Sequence, residues 1–133
     1  MPYEITFSKK LTLGAGRDYI NECCIGGDVV MDVLLPELRK TYSDLDTGQE
    51  DWGWFAWFQN RDVRLAVDVF CDDPGAGGYR IHLTSSIPKW LFGHKIEDTS
   101  ELESLRDKVK GILADWLSGE PQVTRVKADY MPY

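Results

Sequence analysis

The chain is poor in the residues that build metal and redox sites: it has three cysteines and two histidines. Cys23 and Cys24 are adjacent and Cys71 stands alone. There is therefore no Cys-x-x-Cys pair for zinc, and an odd count does not fit a disulfide framework. Adjacent thiols can trap a soft metal or act in redox chemistry, but free cysteine commonly serves as a small buried apolar side chain. Cys23 and Cys24 are accordingly read as core, and all three cysteines as unpaired thiols. A nucleophile elbow, a phosphate loop and a His-x-x-x-His pair are all missing. Gly14-Ala15-Gly16 begins like a dinucleotide fingerprint, but no third glycine follows at the required place, so it reads as a loop. Nothing calls for a cofactor.

Long apolar runs are also missing. No stretch approaches the 18 or so residues needed to span a bilayer. The start, Met1-Pro2-Tyr3-Glu4-Ile5-Thr6, has neither the basic opening nor the apolar stretch of a signal peptide. The expectation is a cytoplasmic protein with no membrane attachment. Positive charge is in deficit too: 15 Lys and Arg face 22 Asp and Glu, a formal net charge of −7. Phosphate backbones and anionic lipids are repelled at long range, which argues against nucleic acid as a partner. A basic protein partner or a small ligand remains compatible.

What is present is an ordinary globular composition. At 43% hydrophobic and 28% charged residues over 133 positions, the chain is neither disordered nor fibrous, and residues 1–133 are expected to form one domain around one core.

Residues Tyr3 to Leu13 carry apolar side chains at alternate positions, broken only at Lys9, and predict a strand. After Gly26-Gly27, Asp28 is placed to cap a helix bearing Val30, Val33, Leu34, Leu38 and Tyr42, with a kink or a second helix at Pro36. Val29 to Leu35 is the alternative strand, although its apolar residues do not alternate. Asp51 to Phe58 is rich in aromatics and belongs inside a sheet. Asn60-Arg61 supplies a turn. Val63, Leu65, Val67, Val69 and Cys71 then alternate in a strict period of two with Arg64, Ala66, Asp68, Phe70 and Asp72. Tyr79, Ile81, Leu83 and Ser85 do the same beyond the turn Asp72 to Gly78, which predicts a three-stranded meander.

A capping box at Ser100 and Glu103, repeated by Asp98 and Glu101, opens a helix whose Leu102, Leu105, Val109, Ile112, Leu113, Trp116 and Leu117 form one stripe. Gly119 and Pro121 end it, and Val123 to Tyr130 is expected as an edge strand. The order is strand, helix, three strands, helix, strand. The fold class is α+β: a two-layer structure with an antiparallel sheet and helices packed on one face.

Parity then assigns the sheet faces. The alternating apolar residues of the meander point to the helices, and a short turn at Asn60-Arg61 sets Trp54 against Val67 and Phe58 against Val63. The opposite face is left with Phe55, Trp57, Arg64, Ala66, Asp68, Phe70, Arg80, His82 and Thr84. A symmetric second hairpin places Asp68 opposite His82 and Phe70 opposite Arg80, while Trp57 falls opposite Arg64. Directly opposed side chains are close enough to interact. An indole beside a guanidinium makes a cation–π contact, and a carboxylate beside an imidazole favours the charged ring. Each pair alone is ordinary cross-strand stabilisation. Two aromatics and Phe70 on an uncovered face together suggest a contact surface, unless the C-terminal segment folds over it.

Phe55, Trp57, Arg64, Asp68, Arg80 and His82 are thus the candidate binding residues for a protein partner, with Trp and Arg as the side chains that most often carry interface energy. Asp44, Asp46, Glu50 and Asp51 add a negative edge suited to a basic partner such as a nuclease. A small-ligand sensor using the same aromatics is the first alternative. The second is a hydrolase-like enzyme using His82 with Asp68 as an oriented acid or base, or Asp68, Asp72 and Asp73 as oxygen ligands for a hard cation. Turn chemistry already accounts for Asp72-Asp73-Pro74-Gly75.

Overall fold

The computed structural model describes residues 2–11, 18–73, 75–89 and 93–127. Among the described residues the elements run β1 (Tyr3–Ser8), a 3-10 turn (Glu22–Cys24), α1 (Gly27–Leu38), β2 (Asp46–Glu50), β3 (Gly53–Asn60), β4 (Val63–Asp73), β5 (Gly78–Pro88), β6 (His94–Ile96), α2 (Ser100–Leu117) and β7 (Gln122–Arg125). The class is α+β. One antiparallel sheet takes the order β2-β3-β4-β5-β1-β7, with β6 pairing the far end of β5. The expected meander is present and gains β2 on its outer side. Two strands, β2 and β6, went unforeseen because neither Asp46–Glu50 nor His94–Ile96 carries an alternating apolar pattern.

Both helices pack on one side. Val30, Met31, Leu34 and Leu38 of α1 and Leu102, Leu105, Val109 and Leu113 of α2 join Ile5, Leu65, Val67, Val69, Ile81 and Leu83 in one buried cluster. The helix-facing parity is therefore as the alternation implied. Helix α1 runs unbroken through Pro36, which stands in its last turn, two residues before Leu38. Proline there removes one backbone bond, the one the Asp32 carbonyl would accept, and the helix ends two residues later. Its N-cap is Gly26, in the left-handed region at φ 87°, and not Asp28. Asp28 lies inside the first turn, buried, and accepts a hydrogen bond from the Tyr19 hydroxyl at 2.8 Å. A side chain at Gly26 would also collide with that of Tyr79, since a Cβ there would lie 2.1 Å from the tyrosine oxygen.

Helix α2 is likewise capped one residue earlier than expected. Thr99 Oγ1 accepts from the backbone N–H of Leu102 at 3.1 Å, whereas Ser100 turns its hydroxyl to Glu101. The first strand stops at Ser8. The Gly14-Ala15-Gly16 loop and the outer part of the expected last strand lie outside the described residues. Cys24 and Cys71 are buried as read, but Cys23 is exposed. In the 3-10 turn, Cys24 points inward and donates through Sγ to the Glu50 carbonyl at 3.0 Å, which directs its neighbour to solvent. All three thiols are unpaired. Among the described residues no helix is long and apolar enough to cross a membrane.

Candidate functional site

The sheet face away from the helices is set by the β3–β4 and β4–β5 registers. Asn60 pairs with Val63, so the turn is Arg61-Asp62, with Arg61 in the left-handed region at φ 59°. This shifts the expected β3–β4 pairing by two residues and leaves every side chain on its assigned face. Trp54 lies opposite Val69 and Phe58 opposite Leu65. Trp57 meets Ala66 and not Arg64, whose cross-strand neighbour is Gln59. The second hairpin has the expected register, with Asp68 opposite His82 and Phe70 opposite Arg80. A one-residue irregularity follows between Cys71 and Asp73.

By parity Phe55, Trp57, Arg64, Asp68, Arg80 and His82 share this face, but it is not uniformly open. Arg64 is exposed and Trp57, Arg80 and His82 are half-buried, whereas Phe55 and Asp68 are buried along with Ala66 and Thr84. The rings explain part of this. Phe55 and Trp57, two residues apart on β3, stack with centroids 4.0 Å apart, and the Trp57 indole N–H donates to Asp68 Oδ1 at 2.8 Å. The Trp57 ring thus covers one face of Phe55 and its N–H reaches Asp68, so both are withdrawn from solvent. Whether the C-terminal segment covers the face falls outside the described residues.

Burial has a direct electrostatic effect on Asp68. Desolvation pushes its carboxyl up to about 7, against the smaller, opposing effect of the Trp57 hydrogen bond. His82 takes a different partner. Its Nε2 lies 3.0 Å from Glu4 Oε1 on β1 and 3.1 Å from an Arg80 guanidinium nitrogen. It donates to Glu4 in one tautomer and accepts from Arg80 in the other. Arg80 also forks onto Asp72, with Nε to Oδ2 at 2.9 Å and a terminal nitrogen to Oδ1 at 3.1 Å. Asp72 is the extra residue of the β4 irregularity, and such a bulge re-aims a side chain. Phe70 forms the floor of this network: Arg80 stacks over it at 4.3 Å, His82 meets it edge-on and Trp52 packs against it.

Two adjacent clusters result, Phe55–Trp57–Asp68 and Glu4–His82–Arg80–Asp72. No hydrogen bond joins Asp68 to His82 among the described residues, so the acid–base pair expected from the register is not assembled. Asp73 spends one carboxylate oxygen on the turn, accepting from the Ala76 N–H at 3.1 Å, as turn chemistry predicts. Among the described residues no group of three or more His, Cys, Asp or Glu is arranged to hold a metal. Glu4 and Trp52 were missed by sequence reasoning, and Asp72 was read only as a turn residue or cation ligand, not as the partner of Arg80. Glu4 carries an alternation signal, but using it requires knowing that β1 lies beside β5.

At the β2 end of the same face a hollow of about 500 Å³ opens, lined by Ser43, Asp44, Asp46, Trp57, Phe58, Gln59 and Arg64. Here the Trp57 indole and the exposed Arg64 guanidinium line one hollow with the acidic residues of β2 and its approach. Asp44, Asp46, Glu50 and Asp51 are all exposed, so the expected negative edge exists, built as a strand and its flanks. Comparison with protein-family models, with curated proteins and with solved structures finds no match.

Proposed function

We propose that the chain is a small acidic interaction module that engages a protein partner through the β2–β3–β4 end of its helix-free sheet face. One observation carries this reading: the hollow in which Trp57 and Arg64 stand beside Asp44 and Asp46. An aromatic wall with both signs of charge is the composition of an interface anchor pocket. Net negative charge favours a basic partner and speeds its approach. Phe55 and Asp68 support Trp57 from below, while Arg80 and His82, engaged with Asp72 and Glu4, form the far rim. We place the module in the cytoplasm, where unpaired thiols such as these persist.

The small-ligand alternative rests on the same hollow, whose volume falls in the range of ligand pockets. The two readings separate by experiment. Affinity purification from the source cell should recover a basic protein with the wild-type chain and lose it with the exposed charge reversals Arg64→Glu and Asp46→Lys. Retention of that protein by the double variant moves the interface elsewhere. A metabolite that raises the melting temperature of the wild type and not of the variant supports the sensor.

A further inference from the structure

Strand β2 ends the sheet, and its chemistry specifies what can be added to it. Glu50 pairs with Gly53 across the two-residue turn Asp51-Trp52. Residues flanking such a turn form the hydrogen-bonded pair, so Glu50, Gly48 and Asp46 direct their backbone groups to β3. Thr47 and Gln49 therefore present their N–H and C=O groups outward, and among the described residues no strand pairs with that side. Asp46, Thr47 and Glu50 are exposed. The side chains of Asp46 and Glu50 lie on the face that carries Trp57, because Asp46 is opposite Trp57. Between them the Phe55 ring lies over Gly48, where a Cβ would come within 3.2 Å of it, so this position offers an apolar surface.

Resting on the interaction-module reading, we infer that the β2 edge accepts an extended segment of the partner as an added strand, with Lys or Arg beside Asp46 and Glu50 and an apolar residue beside Gly48. Main-chain bonds to Thr47 and Gln49 hold the segment, and the alternating side chains select it. A second copy of this chain is the wrong occupant. Antiparallel pairing of two β2 strands about Gly48 sets Asp46 of one against Glu50 of the other, and like charges directly opposed are destabilising. A basic strand turns the same two positions into attractive pairs.

The test uses the capped peptide Lys-Thr-Val-Thr-Lys and its counterpart Glu-Thr-Val-Thr-Glu against the isotope-labelled full chain. The Lys peptide should shift the amides of Thr47 and Gln49, slow their exchange, and saturate at a concentration about tenfold or more below the Glu peptide, as two reversed charge pairs imply. Thr47→Pro, which removes an outward N–H, should abolish the effect. If that variant does not fold, Asp46→Lys with Glu50→Lys should reverse the preference between the peptides. Unmoved Thr47 and Gln49 amides, equal affinity for the two peptides, or strong protection of both amides in the free protein overturns the inference. Loss of partner capture by the Arg64 and Asp46 reversals alongside a failed peptide test leaves the module reading standing without strand addition. Peptide binding at β2 with capture unaffected by those reversals overturns both, because the inference sets a basic residue of the partner beside Asp46.

Discussion

The indole of Trp57 donates to the carboxylate of Asp68 at 2.8 Å, from one strand to the next, at a position where Asp68 is only 1% exposed. The bond links a half-buried surface aromatic to a dry acidic group, so the candidate contact surface and fold stability are coupled at this point.

Asp68 should make the fold less stable as pH rises. Its carboxyl stands at about 7 in the folded chain against an ordinary 3.8. Below 3.8 both states hold the proton. Between there and about 7 only the folded state does, so stability falls through that window and levels off above it. Asp68→Asn keeps an acceptor for Trp57 and carries no charge. It should be more stable than the wild type at pH 8 by about 2 to 4 kcal/mol, with the gap closing toward pH 4. Urea denaturation of both proteins at the two pH values measures this; a gap independent of pH would show that Asp68 ionises freely in the fold.

Gly26→Ala should destabilise the chain by at least about 1 to 3 kcal/mol, since it combines a left-handed backbone with a collision against Tyr79. Tyr79→Phe in the same background should recover part of the loss by removing the nearest atom. A thermal melt of Gly26→Ala unchanged from wild type would mean that the turn before α1 rearranges at no cost.

Native protein should react with a thiol reagent at Cys23 alone, and denatured protein at all three cysteines. Burial raises the Cys24 thiol and pushes Cys71 up to about 12, so neither is a thiolate near neutral pH. Rapid native labelling of two or more thiols would contradict the packing of the Cys24 turn.

At the start of α2, Thr99→Ala should cost about 1 kcal/mol and Ser100→Ala a few tenths, as expected for a cap and for a first-turn residue. Equal losses would place the cap at Ser100.

The fold was legible where one face of an element is apolar. The alternation of Val63 to Cys71 and the stripe of Leu102 to Leu117 state their periods directly, and both elements stand as read. β2 was not legible, because Asp46-Thr47-Gly48-Gln49-Glu50 is a strand held by its neighbour and not by burial of its own side chains. The two-residue shift opposite Trp57 arose from a turn that uses Arg61-Asp62, where Arg61 adopts a left-handed conformation uncommon for arginine. A shift of two preserves faces and changes partners. The face of the candidate site could therefore be read, but the pairs within it could not. The burial of Phe55 and Asp68 goes with the Phe55–Trp57 stack and the Trp57–Asp68 hydrogen bond, which no periodicity encodes.

The position of β1 has a consequence for the order of assembly. β1 precedes every other strand among the described residues, yet it lies between β5 and β7, with Tyr3 opposite Leu83 on one side and Arg125 on the other. The guanidiniums of Arg106 and Arg125 both stack on the Tyr3 ring. During synthesis the apolar row Tyr3, Ile5 and Phe7 therefore emerges well before its partners in β5 and β7, while the β3–β4–β5 meander can pair through short turns as soon as it appears. Over that interval β1 is the part of the nascent chain with most need of shielding by a chaperone.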